Sequence, residues 1–495
     1  MVAGDFGWTS YGPQPSGGAV GGSGPDAELR PELADVGRLA RRGLRAVVGA
    51  ARAGERPRLP RILGDHLGSG ATALDVVEET WPGYDHVNVQ AGLDAWLDRP
   101  GRTWELVGIA NFQHAMFGLG DLLSDAGGPA GPMGLRPGNP ATVNLASGPD
   151  GAVRPCQRCG IYLVREGEVR TALLLRGATP EFGTNQVTLA LVSTDPAAGA
   201  RAAAEIRQAT LEHNVFRGQV LSFDQEVFGH GQTLLQFHRR PTMTADQLIL
   251  RRETLAEIER QVVEVARHKH RLLAAGQHLK RGLLLYGPPG VGKTHTVRYL
   301  TSRLTETTVL QLTGNALHLI AEACSVARAL QPSMLIVEDV DLIAEDRGTH
   351  PGQHPLLFQL LNEMDGLAED ADVVFVLTTN RADLLEPALA ARPGRVDQAV
   401  ALELPDAEAR RALFELYRGS MAVDTSGLDD VLARTDGVTA SFLKELLRRA
   451  ALLAATRTPA DEELAVSAED LRAALDELLD TRNAMTRTLL GSVPA

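Results

Sequence analysis

Between Gly287 and Thr294 the chain reads Gly-Pro-Pro-Gly-Val-Gly-Lys-Thr, the spacing G-x-x-x-x-G-K-[ST] that wraps backbone N–H groups around phosphate oxygens. Glycines at 287, 290 and 292 let the backbone curl, and the helix expected after them adds the positive end of its dipole. Lys293 would then reach the outer phosphates, and Thr294 would offer a hydroxyl to magnesium, which prefers oxygen ligands. The expected cradle comprises Gly287, Pro288, Pro289, Gly290, Val291, Gly292, Lys293, Thr294 and His295.

A second cluster follows at Met334-Leu-Ile-Val-Glu-Asp-Val-Asp341, an apolar run ending in acids. Acids at the C-terminal end of a strand meet the phosphate crevice of an open α/β sheet. Glu338 is placed to hold magnesium through water, and Asp339 to orient the attacking water for in-line phosphoryl transfer. Asp341 reads equally as a supporting acid behind these two or as an exposed helix N-cap.

Such groups need a rigid scaffold. From Leu283 onward the apolar runs LLLYG, VLQLTG, MLIVEDVD, VVFVLTTN and AVALEL alternate with helical stretches, the pattern of a mostly parallel sheet covered by helices. After Pro405 the chain reads as helices only. Upstream, IYLVREGEVRTALLLRG predicts a hairpin turning around Glu166 and Gly167. Strand-like VTLALVSTD, helical AAGARAAAEIRQATLEH, and strand-like NVFRGQVLSF and TLLQFH follow. The segment from Asp246 to Gly276 predicts a helix.

The expected organisation is a disordered Gly/Pro/Ser-rich tail over residues 1–26 and an α+β N-terminal domain over 27–240. An α/β P-loop nucleotide domain over 241–404 and a helical lid with a tail over 405–495 complete it. Residues 27–54 carry a helical apolar pattern among arginines, expected to be a solvated surface helix.

These motifs, with Asn380 at the end of VVFVLTTN and the following RADLLEPALAARPGRVD, resemble the AAA family of ATPases over about Leu248 to Arg457. The resemblance implies a ring, commonly of six subunits, with ATP at each subunit interface. It also implies that Asn380 is a sensor positioning the water, and that Arg392 and Arg395 are arginine fingers reaching the neighbour's γ-phosphate. Such guanidinium groups neutralise charge that develops in transfer.

Two departures from the family's pattern stand out. The family's usual Asp-Glu order is reversed at Glu338-Asp339, a variant resembling one mitochondrial chaperone branch. Where polypeptide-threading members carry an aromatic pore loop, this chain has NALHLIAEACSVARALQ, with no Phe, Tyr or Trp to grip an extended chain.

Composition narrows the partners. With 49 Lys plus Arg against 62 Asp plus Glu, the 495-residue chain carries a formal charge of −13 and is 4% aromatic, so no nucleic-acid surface is expected. No apolar run is long enough for a membrane span, no secretory signal is evident, and three cysteines are too few for a disulfide framework. A cytoplasmic setting is the expectation. Cys156 and Cys159 have the spacing of half a zinc site without a second pair, and an ordinary turn is preferred. His268, His270 and His278 are expected on a solvated helix face. No H-E-x-x-H follows the nucleotide block, which speaks against a fused zinc protease. The expected function is an ATP- and Mg2+-dependent ring motor that remodels or disassembles a protein client. The alternative is an ATP-assembled scaffold or switch with negligible turnover.

Overall fold

The computed structural model describes residues 59–68, 70–114, 117–124, 135–179, 184–225, 233–341, 355–368, 370–383, 396–459 and 463–480. The N-terminal tail and the arginine-rich helix expected over residues 27–54 lie outside them.

The first sheet is antiparallel and built from β1 (Val76–Pro82), β2 (Arg102–Ala110), β3 (Arg136–Gly138), β4 (Ala141–Ala146), β5 (Val153–Glu166), β6 (Val169–Arg176) and β7 (Gln186–Ser193). Its order is β1-β7-β6-β5-β2-β3, with β4 on the early part of β5. The hairpin expected at Gly167 is β5–β6: Glu166 pairs with Val169, and Gly167 takes φ +58° in the two-residue turn. The apolar runs of β5 to β7 are nearly unbroken because both faces are covered. The helices His86–Leu97 and Pro196–Glu212 pack with Tyr162, Leu173 and Leu191 on one face. Leu59–Leu67 and Leu119–Leu123 pack with Ile161, Leu174 and Ala190 on the other. Helix Pro196–Glu212 starts where the sequence suggests, with the Asp195 carboxylate accepting from the Ala197 N–H and proline in the first turn.

The second sheet carries the nucleotide motifs. It contains β8 (Val220–Gln225), β9 (Thr233–His238), β10 (Arg281–Tyr286), β11 (Thr308–Leu312), β12 (Ser333–Val337), β13 (Val373–Thr379) and β14 (Gln398–Ala401), in the order β14-β10-β13-β12-β11-β8-β9. Every pairing is parallel except β8–β9. All residues of β12 and β13 are buried, as expected for strands covered on both faces. Each fully buried Val, Leu or Ile contributes about 1.5–3 kcal/mol relative to exposure.

This topology corrects the expected boundary near Pro241. Strand β8 pairs with β11 and β9 with β8, neither with the N-terminal sheet, so the change of sheet falls before Val220. An alternating strand pattern reports a half-covered surface but not its partner, and pairing over some ninety residues is decided by packing. Residues 214–218, read as the start of a strand, are instead a turn. The helix expected from Asp246 begins at Arg252, after a separate 3-10 turn Ala245–Gln247, leaving Leu248 to Leu250 outside helix and strand.

The C-terminal part consists of helices Ala407–Arg418, Leu428–Arg434, Ala440–Arg457 and Ala468–Leu479 around their own core, which includes Phe414, Phe442, Leu446 and Leu475. Asp406, Thr439 and Ser467 cap three of them through side-chain oxygens. A short parallel pair, β15 (Ala422–Val423) with β16 (Ala465–Val466), departs from the all-helical expectation.

Candidate nucleotide-binding site

Strand β10 delivers the chain into the loop 287–292, and helix Lys293–Arg303 leaves it. Gly287 has φ +146°, and a Cβ there would lie 2.2 Å from the carbonyl oxygen of Leu402, so only glycine fits between β10 and the chain after β14. Gly290, at φ +81°, faces the lid: its carbonyl oxygen accepts from the Ser441 N–H at 3.3 Å. Helix Ala440–Arg457 is thereby joined to the loop 287–292.

Lys293 is 8% exposed, and its Nζ donates to the carbonyl oxygens of Gly287 (2.7 Å) and Pro288 (2.9 Å). Burial lowers its pKa, while the carboxylates of Asp339 and Asp341 act to raise it. The ammonium is held by loop carbonyls that an outer phosphate would replace as partner. Helix Lys293–Arg303 also brings the Thr294 hydroxyl to the Glu338 carboxylate as a hydrogen-bond partner. Burial first, and the neighbouring Asp339 second, push the Glu338 carboxyl above its usual range.

The ends of β12 and β13 meet at the same place. Asn380 Nδ2 donates to Asp339 Oδ1 at 3.3 Å, and both side chains are exposed to the cleft. Asp341 is 8% exposed and accepts from Thr379 Oγ1 and the Asn380 N–H. Of the two readings left open for it, exposure does not hold, because Asp341 is buried and accepts from residues at the end of β13.

These groups line one cleft of about 350 Å3. Its polar end holds Lys293, Thr294, Glu338, Asp339, Thr378 and Asn380, and its other end holds Leu248, Ile249, Val291, Leu413 and Tyr417. Residues 287–295, with the exception of Gly287 and Pro288, appear among the lining groups, and those two hold the Lys293 ammonium. His295 lies at the cleft, with its pKa lowered by burial and then by the charges of Arg298 and Lys444. Sequence reasoning missed Gln247, Leu248, Ile249, Thr378, Leu413, Tyr417 and Lys444, which come from four separate segments. Only Leu248 and Ile249 left a signal, as apolar residues ahead of the helix. Arg392 and Arg395 lie outside the described residues.

Residues 283–404 match the family described as "ATPase family associated with various cellular activities (AAA)". This segment is an AAA ATPase domain. The AAA domain also resembles proteins named ATP-dependent zinc metalloprotease. FtsH 2 of Sphaerobacter thermophilus is 35% identical over 239 residues, which is 46% of this chain and 36% of that protein. FtsH 4 of the same organism is 32% identical over 289 residues, 55% and 43%. FtsH of Thermus thermophilus is 31% identical over 242 residues, 46% and 38%. The chain thus spans less than half the length of these relatives.

The segment at the pore-loop position of the AAA domain is not an open loop. Residues Gly314–Leu319 form a helical turn leading into helix Ile320–Ala329, with Ala316, Leu317, Leu319 and Ile320 buried. They share a core with Val87 and Cys156 of the N-terminal part, and Tyr84 stands edge-on to Phe223 of β8 beside them.

Cys156 and Cys159 sit within strand β5, not in the turn that was preferred. They enter different core clusters, and burial pushes both thiols up to about 12. Among the described residues no group of three or more His, Cys, Asp or Glu could hold a metal ion. His268 and His270 are exposed on the helix Val265–Ala274, as expected, whereas His278 is exposed but lies beyond that helix. Among the described residues no helix is long and apolar enough to cross a membrane.

Proposed function

We propose that this protein binds ATP with Mg2+ in the cleft between the phosphate loop and the lid, and hydrolyses it as a homo-oligomeric AAA motor. The observation that carries the reading is the convergence of Lys293, the Thr294–Glu338 pair and the Asp339–Asn380 pair at one end of a cleft whose other end is apolar. The apolar end suits the base, and the polar end suits the phosphates.

The Thr294 hydroxyl and the Glu338 carboxylate are hard oxygen donors facing one another, the donor chemistry that Mg2+ takes. Mg2+ there would neutralise charge on the outer phosphate oxygens. Lys293 exchanges its two loop carbonyls for phosphate oxygens. Asp339 accepts a hydrogen bond from the attacking water while the Asn380 amide fixes its direction, so the water stands in line with the bond to be broken. Arg392 and Arg395 would complete the charge from a neighbouring subunit in a ring, by resemblance six-membered.

The N-terminal part docks a protein client, and the motor's cycle remodels or disassembles that client without threading it. The absence of aromatic residues from NALHLIAEACSVARALQ and the burial of its apolar side chains support this. A cytoplasmic setting, with neither nucleic acid nor membrane as partner, accompanies the acidic composition. A second reading is favoured by the reversed Glu338-Asp339 order: an ATP-assembled scaffold or switch that barely turns over. Phosphate release from wild type and Asp339→Asn across protein concentration separates the two. Release that rises with concentration and vanishes in the variant supports the motor. Tight ATP binding without release overturns it in favour of the scaffold.

A further inference from the structure

Three hydrogen bonds lace the ends of β12 and β13, and none of them uses the Asp339 carboxylate's contact with the Asn380 amide. Asp341 Oδ1 accepts from Thr379 Oγ1 at 2.8 Å and from the Asn380 N–H at 3.2 Å. The Asp339 N–H donates to Thr378 Oγ1 at 3.1 Å. Asp339 itself holds φ +52°, a left-handed backbone that a residue with a side chain keeps only where its neighbours impose it. The Asp339 carboxylate and the Asn380 amide are left to meet each other across the cleft at 3.3 Å.

This arrangement addresses the reversed order of the acids. The water-orienting acid at 339 is one methylene shorter than the glutamate usual there, so its reach depends on where the backbone puts it. A buried carboxylate with two donors is a stiff anchor, since leaving either donor unpaired in a low-dielectric site is unfavourable. Asp341 fixes the backbone of Asn380 directly. Thr378 holds the backbone of Asp339.

We propose that Asp341 is a positioning residue for ATP hydrolysis, acting through Asn380, and that Thr378 acts the same way through Asp339. Together they place the shorter acid and the sensor amide on one water. The inference rests on the hydrolytic reading above and adds to it Asp341, which lies behind the cleft, and Thr378, which lines its polar end and acts through its bond to the Asp339 N–H.

The test separates binding from turnover in the full-length protein. Asp341→Ala lowers kcat about 10- to 100-fold, the scale expected when reacting groups shift by an ångström or so. The KM for ATP, and the Kd for ATP measured by direct titration, stay within about twofold because the phosphate loop is untouched. Asp341→Asn keeps an oxygen that accepts from Thr379 and Asn380, and it retains turnover within about threefold of wild type. Thr378→Val removes the acceptor for the Asp339 N–H and also lowers kcat at unchanged affinity. It carries the test if Asp341→Ala does not fold.

Wild-type kcat in both Asp341→Ala and Thr378→Val overturns the inference. A loss of ATP affinity matching the loss of kcat overturns it too, as does an asparagine variant as slow as the alanine one, which would assign the effect to charge. A wild-type protein that binds ATP and releases no phosphate sinks the hydrolytic reading and this inference with it. A wild-type enzyme that turns over beside equally active variants sinks the inference alone.

Discussion

The Asn380 amide donates to the Asp339 carboxylate across 3.3 Å, joining the ends of two neighbouring strands that lie 41 residues apart in the chain. Parallel pairing of β12 with β13 brings the two together, with Val337 opposite Leu377 in the last register pair. A water beside this pair, donating to the carboxylate and accepting from the amide, has its orientation set by both. That geometry makes Asp339 the group whose loss separates binding from cleavage.

Asp339→Asn is expected to leave ATP affinity within about threefold and to reduce kcat by about 100-fold or more, the size of a lost acid–base contribution. Single-turnover assays with saturating ATP read the step directly. Unaltered turnover would transfer the role to another acid.

Lys293→Ala removes the only side chain that bonds both Gly287 and Pro288 among the hydrogen bonds of the described loop. ATP affinity is expected to fall at least 100-fold, consistent with loss of a charge-assisted contact worth about 3 kcal/mol. Isothermal titration with ATP and Mg2+ checks this, and unchanged affinity would refute the assignment of the phosphate site.

The pH dependence of Mg2+ binding follows from Glu338. Its folded-state pKa is raised, by burial first and by Asp339 second. The folded carboxyl therefore holds its proton more tightly than the unfolded chain does. In metal-free protein, the stability this gives is present at low pH and lost as pH rises through the folded value. Mg2+ requires the ionised form, so its affinity should weaken as pH falls, at a higher pH than an ordinary glutamate would allow. Glu338→Gln should flatten that limb. Mg2+ titrations at several pH values, followed by thermal midpoint, give the comparison.

Gly290→Ala tests the contact between loop and lid. A Cβ at Gly290 would lie 2.9 Å from Ser441 Oγ and 3.0 Å from Thr439 Oγ1, on a backbone at φ +81°. A side chain in that left-handed conformation costs about 1–2 kcal/mol. ATP affinity is expected to fall about tenfold, with a parallel loss of stability visible in urea melts.

By itself, the sequence determined the parts of this protein whose physics is local. The run Gly287 to Thr294 specifies its own turn and helix start, because glycine freedom and the helix dipole act within a few residues. The hairpin at Gly167 was legible for the same reason. The acids of β12 were legible because an apolar run ending in carboxylates has few other uses. What joins distant segments was decided only by tertiary packing. Strands β8 and β9 looked like others in the N-terminal part, yet they bury Val220 and Leu221 against the nucleotide sheet. Leu248, Leu413 and Tyr417 became one wall of a cleft through a lid whose placement no short pattern encodes. Asp341 could be read two ways until β13 supplied its donors. A side chain's type limits which partners it can satisfy, but only the folded chain, by burying it and removing water as an alternative, decides which partner it has.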